Sequence, residues 1–168
     1  PGQGVVPPAQ FVPVAEETGL IGPIGEWVLK ATCRQLRAWL DAGLKPVKVA
    51  VNLSPRQFSQ HLPHTVIEIL AAHRVPPELL EVEITESMLT HNTESVVAMM
   101  QEFAAAGISM SLDDFGTGYS SLSYLKRFPI DTLKIDQSFV RGIPADADDT
   151  AIATAIISMA KALRLRVI

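Results

Sequence analysis

Hydrophobic residues recur along this chain with two different spacings, and segments of the two kinds alternate. Apolar residues every three or four positions predict α-helices, whereas strict alternation of apolar and polar residues predicts β-strands. The predicted helices cover residues 8–18, 24–42, 63–73, 93–106 and 148–163. The predicted strands cover residues 47–54, 79–87 and 108–114, a segment that begins at 131, and 165–168. On the second helix we expect one apolar side, made of Ile24, Trp27, Val28, Ala31, Leu36, Trp39 and Leu40.

The order of these elements predicts the arrangement of the sheet. Strands separated by helices favour parallel pairing and right-handed crossovers. Each strand has one apolar face and one polar face, and the polar faces carry Asn52, then Glu81, Glu83 and Thr85, then Ser109, Ser111 and Asp113, then Lys134 and Asp136. A doubly wound open sheet meets helices on both faces and would be apolar on both. The one-sided pattern therefore favours an α/β fold of the (β/α)₈ barrel type, with its polar face turned inward.

Composition and charge exclude several classes of protein. The chain has 168 residues, enough for one domain with a substantial core, and a formal charge of -4. That charge argues against a protein that grips a nucleic acid polymer through its phosphates. Cys33 is the only cysteine, so no internal disulfide can form and a reducing compartment is favoured. No segment approaches the roughly 20 apolar residues that span a bilayer.

Four polar side chains fall near the carboxyl ends of four successive predicted strands, at roughly the same height: Asn52, Glu83, Asp113 and Lys134. Carboxylate and amide oxygens are hard ligands, which suit Mg²⁺ or Mn²⁺. Asp114 follows directly, and two adjacent aspartates could contact two ions. Lys134 would supply a fixed positive charge. The pattern therefore favours a metal site at this end of the strands.

The segment that follows the two aspartates is rich in glycine and hydroxyl groups. It offers backbone N–H groups and hydroxyls that could lie near phosphate groups. The residues concerned are Phe115, Gly116, Thr117, Gly118, Tyr119, Ser120 and Ser121. A glycine-containing loop beside metal ligands could also gate the site.

Each of these residues also has an interpretation without chemistry. Asn52 could be a strand-end residue, and Glu83 could be half of a buried ion pair with Lys134. The aspartate pair before a glycine is also typical of a turn. Glu86 is better explained as an anchor for a helix or loop than as a metal ligand. The convergence of four polar residues from four strands favours the metal site over these separate explanations, although structural ion pairs can produce a similar pattern.

Several long segments resemble a known family. They are VPPAQFVPVAEETGLIGPIGEWVL, VAVNLSPRQF, LEVEITES, LDDFGTGYSSLSYLKRFPIDTLKIDQSFV and AIATAIISMAKAL. In order and spacing they resemble the EAL domain, the cyclic di-GMP phosphodiesterase family of bacteria. The resemblance extends over essentially the whole chain. It implies a modified (β/α)₈ barrel with one antiparallel strand, and hydrolysis of cyclic di-GMP to linear pGpG that depends on Mg²⁺ or Mn²⁺, with two ions expected.

The resemblance also implies roles for individual residues, taken motif by motif. It makes Asn52, Glu83 and Asp113 metal ligands and associates Asp114 with the second ion. It makes Lys134 the catalytic lysine, which contacts the attacking water. It makes Glu86 the anchor of the loop at residues 115–121, a loop tied in the family to metal binding and to dimerisation.

The chain departs from the family pattern at both ends. The Glu-Ala-Leu motif that names the family would lie before Pro1, and its acidic AEGVE-like strand and a glutamine-bearing last strand would lie after Ile168. We therefore expect residues 1–168 to form a partial EAL domain of four to five strands, which alone hydrolyses poorly or not at all. Exposed strand edges would limit its solubility. Arg164 stands where the family often has a glycine that closes a helix.

The expected partners follow from the same resemblance. They are cyclic di-GMP, a second copy of the domain in a homodimer, and GGDEF or sensor domains, with no nucleic acid polymer. We expect a cytoplasmic domain, in a protein that could be membrane-anchored. The alternative function is a degenerate EAL domain that senses cyclic di-GMP or binds a protein without hydrolysis. A different Mg²⁺ enzyme on a similar barrel, with an enolase-like site, fits the lysine and aspartates but not the long loop match.

Overall fold

The computed structural model describes residues 4–89, 93–118 and 125–168, and the fold is α/β. The helices are α1 (Pro8–Glu17), α2 (Ile21–Asp41), α3 (Leu62–Ala72), α4 (Thr93–Ala105) and α5 (Ala147–Ala162). The strands are β1 (Val49–Asn52), β2 (Leu80–Thr85), β3 (Ser109–Phe115), β4 (Thr132–Ile135) and β5 (Arg166–Val167). Short 3₁₀ turns cover Pro55–Gln57, Pro77–Leu79, Glu86–Leu89 and Gln137–Phe139. Each predicted helix and strand is present, with ends shifted by a few residues.

The five strands form one parallel sheet in the order β1-β2-β3-β4-β5. Each strand lies beside the one before it in the chain, so the order never reverses. A doubly wound sheet does reverse, at its topological switch point. The sequential order is instead that of a (β/α)₈ barrel, of which these five strands make part.

The apolar faces of the strands form the core with the helices. One continuous cluster joins the strand residues Val51, Val82, Ile84, Met110, Leu112 and Leu133 to the helix residues Leu36, Val66, Leu70, Met100, Phe103 and Ile156. All of them are nearly inaccessible to water. Burying this surface supplies the main stabilising free energy of the fold. It also leaves the polar faces of the strands on the opposite side of the sheet, as the sequence predicts.

The helix ends explain where each helix gives way to the next strand. After α2 and α4 the chain turns at Gly43 and Gly107, both with positive φ. After α3 and α5 the same left-handed position is held by Arg74 (φ 52°) and Arg164 (φ 62°). At Arg164 the turn is closed by Leu165 N–H, which donates to the carbonyl of Ala160 at 2.9 Å. Arg164 thus occupies a backbone conformation that suits glycine better.

The expected apolar side of α2 is partly wrong. Trp27 is 66% exposed, whereas Leu29, Cys33 and Leu36 are buried. Two residues turn a helix by about 200°, so Trp27 and Leu29 lie on opposite sides. None of the described helices is long and apolar enough to cross a membrane.

Candidate active site

The polar residues predicted from sequence lie together on one face of the sheet, but on two successive levels. Asn52 is the register partner of Glu83. Asp113 pairs with Thr85, two residues closer to the carboxyl end than Glu83. Lys134 follows Leu133, the register partner of Leu112 on β3, and its side chain reaches Asp113. Such a stagger is what tilted strands in a barrel produce, and the long side chains of Glu83 and Lys134 bridge the two levels.

Lys134 joins the two carboxylates. Its Nζ donates hydrogen bonds to Glu83 Oε1 and Asp113 Oδ2, each at 2.9 Å. Partial burial acts to lower the pKa of Lys134, but the hydrogen bonds and charges of Asp113 and Glu83 outweigh it and the pKa is raised. Lys134 therefore stays protonated near neutral pH and acts as a fixed positive charge rather than as a base. The ion pair considered as an alternative for Glu83 is present.

Asp113 and Asp114 lie just before the last residue of β3, at an irregular point of the sheet. The register between β3 and β4 shifts here, and Asp114 has a φ of 55°. Bulges of this kind commonly redirect side chains beside active sites. The Asp114 N–H donates to Asp113 Oδ1 at 3.0 Å. The bulge thus turns Asp114 out of the regular alternation of β3 while its backbone stays bonded to Asp113.

A further carboxylate, Asp136, belongs to this cluster although the sequence did not single it out. Partial burial raises the pKa of Asp114, and the charges of Asp113 and Asp136, together with a hydrogen bond to Asp136, raise it further. Hydrogen bonds from Ser138 lower the pKa of Asp136, so the pKa values of the two neighbouring carboxyls are shifted in opposite directions. The sequence does contain an indication of Asp136, because Asp136 lies two positions after Lys134 and therefore on the same polar face of the strand.

Glu86 holds the start of the glycine loop beside the aspartates. It is 2% exposed, and its Oε2 accepts hydrogen bonds from the N–H groups of Gly116 (2.9 Å) and Gly118 (3.1 Å). A Cβ on Gly118 would lie 3.0 Å from the Glu86 carboxyl carbon. Gly116 has a φ of 103°, and a Cβ there would lie 2.7 Å from the ring of Phe139. A side chain at Gly116 would therefore be strained and would meet the Phe139 ring, whereas one at Gly118 would only press against the end of the Glu86 side chain.

Phe115 and Thr117 are the other loop residues within the described part of the chain. Phe115 is buried, and Thr117 Oγ1 donates to the carbonyl of Asp114 at 2.9 Å, so the aspartate pair does also begin a turn. Tyr119, Ser120 and Ser121 lie outside the described residues.

The oxygen donors of the site suit a hard divalent cation. Within residues 4–89, 93–118 and 125–168, no three His, Cys, Asp or Glu side chains converge enough to hold a metal ion by themselves. Glu83 and Asp113 do lie close together, since both are bonded to one nitrogen of Lys134, and Asn52 adds an amide oxygen on the adjacent strand. Mg²⁺ usually keeps several waters and takes one or two carboxylates from the protein. This donor set fits such an ion.

A second charged cluster lies on the same face at the opposite end of the strands. Glu81 is 7% exposed and lies 4.0 Å from Lys48 Nζ and 3.3 Å from Arg166 Nη2. Lys48 also donates to Ser109 Oγ at 2.5 Å. This cluster has one acid and two bases, so its charge balance is the reverse of that around Lys134.

Comparisons with known proteins agree with this geometry. A family model described as the EAL domain matches residues 1–168. The chain is 44% identical over 169 residues to the bifunctional diguanylate cyclase/cyclic di-GMP phosphodiesterase MucR of Pseudomonas aeruginosa, a match that covers 100% of this chain and 25% of that protein. It is 43% identical over 169 residues to the cyclic di-GMP phosphodiesterase PdeR of Escherichia coli, with the same coverage of 100% and 25%. The chain therefore spans about a quarter of the length of these curated relatives.

A solved structure is also close. The PaMucR phosphodiesterase in complex with c-di-GMP superposes with a TM-score of 0.94 at 45% identity, covering 99% of this chain and 68% of that one. The five-stranded sheet described above thus has the same fold as the corresponding part of that structure.

Proposed function

The chain belongs to the EAL domain family and has its barrel-type fold in part, and from this premise we propose that the protein is a metal-dependent phosphodiesterase. Its substrate would be cyclic di-GMP and its product linear pGpG. In this reaction one water attacks phosphorus, the P–O3′ bond breaks, and the released 3′-oxygen takes a proton. The relatives named above, which are phosphodiesterases of the same compound, support the choice of substrate.

The observation that carries the proposal is the convergence of Glu83 and Asp113 on Lys134, with Asn52 in register beside them. Asn52, Glu83, Asp113 and Asp114 would hold Mg²⁺ or Mn²⁺, with a second ion toward Asp114. An ion held there would supply positive charge to the phosphodiester and lower the pKa of the attacking water. For Glu83 and Asp113 to act as ligands, Lys134 must share their oxygens with the ion.

Lys134 would act through its charge and Glu86 through its hydrogen bonds to the glycine loop. The fixed charge of Lys134 would orient the attacking water and stabilise negative charge that builds up on the phosphoryl oxygens. Glu86 would hold the 115–118 segment so that its backbone N–H groups and Asp114 keep their positions. We also propose that the 115–121 loop takes part in a homodimer, and that GGDEF or sensor domains accompany the domain.

One observation favours a second candidate function. Lys134 already neutralises part of the charge of Glu83 and Asp113 within the chain itself, as it would in a purely structural ion-pair network. A domain of this kind could bind cyclic di-GMP or a protein partner without hydrolysis.

An assay of product formation separates the two. The protein, with whatever flanking sequence its gene encodes, is incubated with cyclic di-GMP and Mg²⁺ or Mn²⁺, and pGpG is measured by chromatography. Glu83→Gln is compared with Glu81→Gln, a matched change on the same strand, on the same face and at similar burial. We expect Glu83→Gln to abolish pGpG formation and Glu81→Gln to retain most of it. Binding of cyclic di-GMP by a folded protein that forms no pGpG would favour the sensor function instead.

A further inference from the structure

The segment that directly follows Asn52 is locked by a pair of reciprocal hydrogen bonds. Ser54 is 8% exposed, and its Oγ accepts a hydrogen bond from the N–H of Arg56 at 3.1 Å. The N–H of Ser54 in turn donates to Gln57 Oε1 at 3.0 Å. Together these contacts form a capping box at the start of the Pro55–Gln57 turn.

Helix α1 is tied to this capping box by one polar contact. Ser54 Oγ donates to Glu16 Oε1 at 2.6 Å. The rest of α1 is lightly packed: Ala15 is its buried residue, whereas Phe11 is 38% exposed and Val14 is 57% exposed. The hydrogen bond from Ser54 to Glu16 is therefore a specific link between α1 and the end of β1.

Helix α2 constrains the same capping box from a second side. A Cβ on Gly25 would lie 1.8 Å from Gln57 Nε2 and 2.9 Å from its Cδ. The side chain of Gln57 therefore fills the space that the side chain of any larger residue at position 25 would need. Any such residue would displace Gln57 and its hydrogen bond to Ser54.

Asn52 lies between the capping box and the sheet. It is the last residue of β1 and pairs with Glu83, and the next N–H, that of Leu53, donates to the Glu83 carbonyl at 2.9 Å. The sheet thus holds the backbone of Asn52, and the capping box holds the backbone two residues later, at Ser54. We propose that Glu16 is a positioning residue that acts through Ser54 to hold Asn52 in the geometry of the metal site.

This proposal rests on the proposed function, because it assumes that Asn52 is a ligand. It extends the site to α1, about forty residues away in sequence and outside the face that carries the ligands. It also differs from a purely structural tie. A structural tie would change how α1 docks, whereas a positioning residue must also change how tightly the protein binds its ion.

The test measures Mn²⁺ affinity by calorimetry and backbone amide exchange across residues 53–57, on the protein with its encoded flanks. Glu16→Ala should weaken Mn²⁺ binding by about tenfold, as loss of outer hydrogen bonds to ligands does, and speed exchange at Ser54, Arg56 and Gln57. Glu16→Gln keeps an acceptor oxygen and should restore both values to within about twofold.

Two further variants sharpen the comparison. Glu17→Ala is the matched control, because the Glu17 side chain is exposed and makes no hydrogen bond or ion pair within the described part of the chain. It should change neither value. Gly25→Ala disturbs the capping box without touching Glu16 and should reproduce the effect of Glu16→Ala.

The outcomes distinguish this proposal from the proposed function. If Glu83→Gln loses Mn²⁺ binding while Glu16→Ala keeps it, Glu16 is a structural tie and only the positioning role is overturned. If Glu16→Gln binds as weakly as Glu16→Ala, the role assigned to the hydrogen bond is wrong. If Glu83→Gln binds Mn²⁺ like the parent protein, the proposed metal site itself is refuted and the role of Glu16 falls with it.

Discussion

Replacing Lys134 with methionine tests whether the acidic cluster depends on the charge of this one side chain. The side chain of Lys134 is 24% exposed, that of Glu83 9% and that of Asp113 24%. Removing one partner of a fully buried ion pair costs roughly 3–5 kcal/mol, because the other charge remains buried without compensation. Water reaches Asp113, so we place Lys134→Met at the lower end, about 3 kcal/mol less stable at pH 7 without divalent ions.

The pH dependence of this difference gives an independent check. The pKa of Lys134 is raised in the folded protein. Its stabilising contribution is therefore complete below the pKa of an unfolded lysine, about 10.4, and is lost as the pH rises through the higher folded pKa. We expect the stability difference between the parent protein and Lys134→Met to stay constant from neutral pH to about pH 10 and to shrink above it.

Divalent ions should partly replace the missing charge. In urea unfolding, Mg²⁺ at ten times its dissociation constant should add about 1.4 kcal/mol to a protein that binds it only when folded. We expect this gain in stability to be larger in Lys134→Met than in the parent protein at equal Mg²⁺, because the variant has more uncompensated negative charge.

Lys48→Met is the matched control, because Lys48 lies 4.0 Å from Glu81 in the second charged cluster. Its loss of unfolding free energy should stay below about 1 kcal/mol and should not change when Mg²⁺ is added. Two results would refute this reasoning. In the first, Lys134→Met is as stable as the parent protein at pH 7. In the second, Mg²⁺ stabilises Lys134→Met no more than it stabilises Lys48→Met.

Three glycine-related substitutions give further predictions. Gly118→Ala places a Cβ 3.0 Å from the Glu86 carboxyl group, so hydrolysis of cyclic di-GMP should fall about tenfold while urea unfolding shows a loss below about 1 kcal/mol; unchanged turnover would contradict the loop's role. Gly116→Ala meets both a φ of 103° and the ring of Phe139, and should cost about 2 kcal/mol in urea unfolding, whereas a neutral effect would mean that the loop rearranges freely. Arg164→Gly relieves a left-handed residue after α5 and should stabilise the protein by about 1 kcal/mol in the same assay; destabilisation would show that the arginine side chain contributes there.

The polar face of the sheet could be predicted from sequence because it depends on local alternation. Successive side chains of a strand point to opposite faces, so the pattern around Glu83 and Asp113 fixes their common side without knowledge of the fold. Parallel pairing then brings the carboxyl ends of the strands to one edge. For this reason the sequence alone predicts that Asn52, Glu83, Asp113 and Lys134 lie together.

The heights of these residues could not be predicted in the same way. They depend on strand register, and sequence alternation is unchanged when one strand slides by two residues past the next. The structure offsets Asp113 from Glu83 by two residues and introduces the bulge at Asp114. Contacts between residues far apart in the sequence could not be predicted either. No local pattern indicates that Glu16 contacts Ser54 or that Asp136 contacts Asp114. The exposure of Trp27 shows the same limit, since an aromatic residue in a helix does not reveal which side meets the core.

The proposed metal site would account for the two adjacent aspartates at the end of β3. Within the described residues, Glu83 and Asp113 share the Nζ of Lys134, and Asp113 and Asp136 lie near Asp114. Lys134 donates hydrogen bonds to Glu83 and Asp113 but not to Asp114 or Asp136. Burial and the charges of Asp113 and Asp136 raise the pKa of Asp114. The charge of Lys134 lowers this pKa, but not enough to cancel the increase. An excess of negative charge does not stabilise a purely structural ion-pair network. The second cluster, in which Glu81 faces Lys48 and Arg166, has no such excess. An excess of negative charge beside oxygen donors is the arrangement that a divalent cation would stabilise. It is therefore this imbalance, more than the identity of any one ligand, that favours catalysis with a metal ion over a purely structural role for the site.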